Sequence, residues 1–166
     1  MTVAATRKLS AGKEAALRAV STPQGIIAAL ALDQRGSLAA LMARAAGRQP
    51  SSAEIEAFKA AVTARLSPLA SAILLDLEYG QAAIERRSAN AGLILAYEKD
   101  TYGDSTPERM PELIPSLSAR RLKESGAAGV KALLHYAPSS PAALKPGVHT
   151  FRIKVSSHAS ANLPDC

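Results

Sequence analysis

Residues 25–38 read GIIAALALDQRGSL, and their reading decides the fold. Seven apolar residues, Ile26 to Leu32, follow one another without polar alternation. That is the pattern of a β-strand covered on both faces, as in a parallel sheet. The run then stops at an acid, an amide and a guanidinium: Asp33, Gln34 and Arg35. Gly36 opens GSLAALMARAAG, which has the composition of a helix and a helix-stopping glycine, Gly47, at its end. Strand, polar tip and helix make a βα junction, and parallel α/β folds gather their binding groups at such junctions.

The pattern recurs. SAILLDLEYG (71–80) is an apolar run ending in Asp76, AGLILAYE (91–98) ends in Tyr97 and Glu98, and AGVKALLHYAP (128–138) carries Lys131 inside it. Helical segments are expected over residues 7–20, with Leu9, Ala15, Leu17 and Val20 available to pack, and over 51–70. The latter opens with Ser51 or Ser52 ahead of Glu54, a capping arrangement, and offers Ile55, Phe58 and Val62 as one face. SARRLKESGA (118–127) is a short basic helix closed by Gly126, and the Pro-rich 99–115 segment is a loop. Asp33, Gln34, Asp76, Glu98 and His135 or Tyr136 are expected to converge on one rim.

A doubly wound sheet would normally carry a phosphate-cradling glycine loop after its first strand, and neither G-x-G-x-x-G nor G-x-x-x-x-G-K-[ST] occurs. A (β/α)8 barrel needs no such loop, but takes about 250 residues and eight strands. Four strands in 166 residues give an α/β fold of about four βα units, about half of a TIM barrel. One partial domain, 1–166, is expected, with 139–166 a divergent, irregular tail. A truncated or frame-altered product, or a fragment, accounts for this better than a complete small domain, because an open parallel sheet leaves two unpaired edges.

Composition narrows the function. A hydrophobic fraction of 48% excludes disorder, while 4% aromatics and no Trp leave the core to Ala, Leu, Ile and Val. The net charge of +6 admits an anionic partner, either a phosphorylated metabolite or nucleic acid. Scattered basic residues and no aromatic platform argue against nucleic acid. Cys166, the single cysteine, can build neither a disulfide framework nor a cysteine zinc site. His135, His149 and His158 lack ligand spacing, so no metal is expected. Ser71 and Ser118 have no nucleophile-elbow motif around them. With no secretory leader and no run of ~20 apolar residues, the expectation is a cytoplasmic protein without a membrane partner.

Lys131 admits two readings on the residues alone. Apolar surroundings would lower its pKa and activate the amine as a nucleophile. Alternatively it reaches to the rim or pairs with an acid such as Asp33.

Taken together, GIIAALALDQRGSL, LSPLASAILLDLEYG, LILAYEKDTYGD and SLSARRLKESGAAGVKALLHYAP resemble the N-terminal half of tagatose 1,6-bisphosphate aldolases, from about Leu17 to Pro138. Beyond Pro138 the resemblance decays. Those enzymes are class I, metal-independent TIM barrels that use no cofactor, and are related to sulfofructosephosphate aldolases. A class I aldolase forms an iminium between a lysine and the ketose carbonyl, an electron sink that lets the adjacent C–C bond break.

The resemblance implies that Lys131 assists proton transfer and charge balance, with Asp33 as its catalytic partner. Gln34, Arg35 and Asp76 become substrate-binding residues for a phosphorylated ketose. Leu77 stands where the family usually has Pro. The imine-forming lysine, a key glutamate and the phosphate grips of that family come from strands five to eight, without counterparts in this sequence, so the chain alone is expected to be inactive. A non-catalytic sugar-phosphate-binding or assembly module, able to form a homo-oligomer, is the alternative.

Overall fold

Each apolar run that ends in a polar residue becomes a strand, and the strands lie side by side in chain order. The computed structural model describes residues 9–100 and 112–133. Helix α1 (Ala11–Val20) precedes β1 (Ala29–Ala31), α2 (Gly36–Ala46) and α3 (Ser52–Leu66). A 3-10 turn, Ser67–Leu69, leads into β2 (Ala72–Leu75), followed by α4 (Gln81–Arg86), β3 (Gly92–Ala96), α5 (Ala119–Glu124) and β4 (Gly129–Lys131). The sheet is wholly parallel, in the order β1-β2-β3-β4, with helices between successive strands. This is the half-barrel architecture expected from the strand count.

Local signals account for the element boundaries. Gly47 ends α2 in the left-handed conformation (φ 68°), which only glycine adopts without strain. Ser51 and Glu54 form a full capping box at the start of α3. Gly126 follows α5 with φ 87°. Ser118 caps α5 by accepting from the Arg121 amide, and Ser71 bridges the Ala28 amide and the Val20 carbonyl. Both serines therefore have structural partners. The short α4 occupies a stretch in which no helix is expected from sequence.

Three expectations change in detail. β1 starts at Ala29, leaving Ile26 and Ile27 outside it, 61% and 50% exposed. Nor is β1 covered on both faces: Ala29 and Ala31 are exposed while Leu30 is half-buried. The reason lies in side-chain size. Along the strands, Leu30, Leu32, Ile73, Leu75, Leu93, Leu95 and Tyr97 share one parity and pack with α4 Ala83 and α5 Leu122. The opposite parity carries the smaller Ala31, with Leu74, toward a hollow. Hydropathy scores Ala lining a hollow and Leu packed under a helix alike.

In α3, apolar spacing predicts Ile55, Phe58 and Val62 as the buried face, yet Phe58 is 41% exposed. The fully buried stripe is Ile55, Lys59, Thr63 and, just past the helix, Ser67. A lysine belongs in that stripe because its ammonium finds a carboxylate there, as described below. In α1 only Val20 is buried; Leu9, Ala15 and Leu17 stay exposed. The helix meets the sheet end-on: a side chain at Gly92 would put its first carbon 2.1 Å from the Ala19 carbonyl oxygen. α1 thus closes the N-terminal end of the strands, and the C-terminal end is where polar groups collect.

Candidate functional site

At that C-terminal end, Lys131 of β4 donates to Asp33 Oδ2 at 2.8 Å and also hydrogen-bonds Glu98 Oε1. β1 and β4 are the outer strands of the sheet, three inter-strand gaps apart. In a flat sheet that is about 14 Å, more than a lysine and an aspartate standing off one face can bridge. The ion pair forms because the sheet is curved, with Asp33, Glu98 and Lys131 on its concave side.

Arg35 Nη2 reaches across to the Glu98 carbonyl at 3.0 Å, fastening the tip of β1 to the tip of β3. The Gly36 amide donates to Asp100 Oδ2 at 2.7 Å, holding the start of α2 against the same segment. Between them lies a cavity of about 240 Å³ lined by Asp33, Gln34, Arg35, Glu98, Asp100 and Lys131, with Leu74 on its apolar side. Two polar atoms of lining residues, Arg35 Nε and Glu98 Oε2, are buried without a hydrogen-bond partner among the described residues. The lining itself is concave and of mixed charge, a pattern suited to a small polyhydroxylated anion.

The electrostatics decide between the two readings of Lys131. Burial works against its ammonium, but the hydrogen bonds it donates to Asp33 and Glu98 and their charges outweigh it, holding the pKa above the usual lysine value. The activated, low-pKa amine expected from apolar neighbours is therefore not found. The neighbours in sequence are apolar; the neighbours in space are carboxylates. Lys131 is 26% exposed and stays a cation at neutral pH.

Of the sequence-derived site residues, Asp33, Gln34, Arg35 and Lys131 meet in the cavity. Asp76 does not line it. Its carboxylate is buried, pairing with Lys59 through Oδ2 and accepting from the Tyr79 amide through Oδ1 at 2.8 Å. Direct substrate contact by Asp76 finds no support in that geometry, since both oxygens are engaged away from the cavity. Glu78 and Tyr79 also lie off the cavity lining. His135 and Tyr136 fall outside the described residues, as do His149, His158 and Cys166. Among the described residues no three His, Cys, Asp or Glu side chains are grouped to hold a metal ion. No described helix is long and apolar enough to cross a membrane.

Two participants escape the sequence-derived site. Glu98 is expected on the rim, but only the fold shows its acid bound to Lys131. Lys59 is missed altogether, although its four-residue offsets from Ile55 and Thr63 place it on a buried stripe.

Comparison with known proteins follows this geometry. Residues 27–148 match the DeoC/LacD family aldolase model. The chain is 46% identical over 157 residues to tagatose 1,6-diphosphate aldolase 2 of Enterococcus faecalis, covering 94% of this chain and 47% of that protein. It is 42% identical over 154 residues to tagatose 1,6-diphosphate aldolase of Listeria monocytogenes serotype 4a, covering 93% of this chain and 45% of that protein. Against tagatose 1,6-diphosphate aldolase 2 of Streptococcus mutans serotype c the identity is 48% over 128 residues, 77% of this chain and 39% of that protein. The chain thus spans about half the length of the curated relatives it matches. Similarity also continues past Pro138, where the sequence motifs alone have it decaying. With the match reaching well over half of its residues, the chain belongs to the DeoC/LacD aldolase family.

Proposed function

We propose that this chain supplies the strand-one-to-four side of a class I aldolase site that reversibly cleaves tagatose 1,6-bisphosphate to glycerone phosphate and glyceraldehyde 3-phosphate. The observation that carries the reading is the Lys131 ammonium clamped between the Asp33 and Glu98 carboxylates at the cavity rim. Cleavage of the C3–C4 bond requires removal of the C4 hydroxyl proton as electrons flow toward an iminium at C2. A rim carboxylate serves as the proton acceptor, and Lys131 balances the charge that changes beside it. Gln34 and Arg35, both on the cavity lining, hydrogen-bond the sugar's hydroxyls. An ammonium held protonated by two carboxylates is unsuited to attack a carbonyl, so the imine forms on a different lysine. The similarity to tagatose 1,6-diphosphate aldolases supports the choice of ketose. The reading carries with it a cytoplasmic setting in carbohydrate metabolism, without a nucleic-acid partner.

Amide NMR of the 166-residue chain titrated with tagatose 1,6-bisphosphate tests the proposal. Shifts clustered at residues 33–35, 98 and 131 are expected, with affinity no better than about millimolar, roughly −4 kcal/mol. Shifts spread evenly over all Lys and Arg positions would mean nonspecific anion binding by a +6 chain, against the reading. Borohydride reduction with the same sugar is expected to leave no stoichiometric adduct on Lys131 by mass spectrometry.

A further inference from the structure

We infer that Lys59 is a positioning residue for the rim, holding Asp33 where it meets Lys131 by gripping the backbone carbonyl of Leu32. This deepens the aldolase reading and rests on it for its purpose, though its geometry stands alone.

Lys59 is completely buried, and its ammonium makes two described contacts: Leu32 O at 3.1 Å and Asp76 Oδ2. The first contact matters because of where Leu32 lies. The register between β1 and β2 ends at Ala31 opposite Leu74, and one further rung, Leu32 N to Leu74 O at 2.8 Å, follows it. The very next peptide carries Asp33. Its carbonyl, Leu32 O, is taken by a side chain from α3, twenty-seven positions along the chain. Asp76 stands at the corresponding tip of β2, and its other oxygen is fixed by the Tyr79 amide. One ammonium, reaching in from α3, therefore ties together the tips of two strands.

A buried ion pair is a poor source of net stability, because desolvating both charges offsets most of their attraction. A well-packed apolar pair of similar size is often neutral or better in its place. What an apolar pair lacks is a donor for Leu32 O. The specific contribution of Lys59 is thus directional. It orients the Leu32–Asp33 peptide, and through it the carboxylate that must bridge a curved sheet to its far edge.

The test is the double variant Lys59→Met with Asp76→Asn, which removes both charges, keeps the volume of each side chain and leaves an acceptor for the Tyr79 amide, compared with the unmodified chain. Lys131 titration is followed by carbon NMR at its ε position, with Asp33 and Glu98 facing the ammonium and Arg35, Lys99 and Asp100 lining the same cavity. The expected result is a retained cooperative melt, a downward shift of the Lys131 midpoint, and loss of sugar-induced shifts at residues 33–35. A folded double variant whose Lys131 midpoint and rim shifts match the unmodified chain would overturn the inference.

Should the double variant not fold, the unmodified chain decides. The Lys59 ammonium protons must show a scalar coupling to the Leu32 carbonyl carbon, and a slowly exchanging ammonium without that coupling also overturns it. Failure of the aldolase reading looks different: the unmodified chain itself shows no sugar-induced shifts at the rim, while the Lys131 midpoint still separates the two chains.

Discussion

Two lysines in this molecule are held by aspartates, and their surroundings give them opposite uses. Lys59 sits behind the sheet with no exposed surface, between the Leu32 carbonyl and Asp76. Lys131 sits on the concave side, a quarter exposed, between Asp33 and Glu98 at the edge of a cavity. Both are satisfied, but only the second can exchange a carboxylate for a ligand. Charge pairing by itself therefore does not mark a site. Access does, and access here comes from the curvature that leaves one sheet face hollow and packs the other with helices.

The sharpest way to break the comparison is to remove the partner of the inaccessible lysine. Asp76→Leu alone strands Lys59 in the interior and should cost about 3–5 kcal/mol, the usual penalty for an uncompensated buried charge. Chemical denaturation measures it; a loss below about 1 kcal/mol would show that water reaches Lys59, erasing the difference between the two lysines. The equivalent change at the accessible lysine should act on binding instead. Lys131→Met removes the ammonium that meets Asp33 and Glu98 while keeping its volume, so the clustered tagatose 1,6-bisphosphate shifts at residues 33–35 should disappear in an NMR titration. Their survival would take Lys131 out of the site.

A gentler contrast comes from alkaline pH. The Lys131 pKa is raised in the folded chain, so its contribution is fully present below the ordinary value of 10.5 and fades as pH rises through the higher folded value. The stability difference between the unmodified chain and Lys131→Met should therefore narrow above pH 10.5 in urea melts. A gap that stays constant to pH 12 would mean the ion pair contributes nothing to folding.

The smallest effect is expected at the exposed N-terminal end of α3. Glu54, in the α3 capping box, has its pKa lowered to about 2 by its hydrogen bonds to Arg48 and to the backbone and side chain of Ser51. Its contribution is complete above about pH 4.5 and is lost as pH falls toward 2. Glu54→Gln should flatten that part of the acid-stability curve slightly without touching the sugar-induced shifts. A change at the rim would mean that α3 transmits its N-terminal capping to Lys59.

Much of this was legible because local chemistry is written in order along the chain. Four apolar runs with polar tips specify parallel strands, Ser51 with Glu54 starts a helix, and Gly47 stops one. The candidate site was legible to the extent that strand tips converge: Asp33, Gln34, Arg35 and Lys131 all reach one cavity. Asp76 shows the limit. Its position at a strand tip looks the same as that of Asp33, yet its side chain is engaged by Lys59 and the Tyr79 amide.

Sequence alone determined the order of the strands, the parallel sheet and which residues end its strands, since these follow from hydrophobic runs, caps and glycines within a few residues of one another. Only the tertiary structure decided which carboxylate each lysine would meet. Lys131 and Asp33 are ninety-eight positions apart, on outer strands joined only through the curvature of the sheet. The sign of the Lys131 shift followed from that meeting. Its sequence neighbours would desolvate the ammonium, but Asp33 and Glu98, brought close in space, hold it charged.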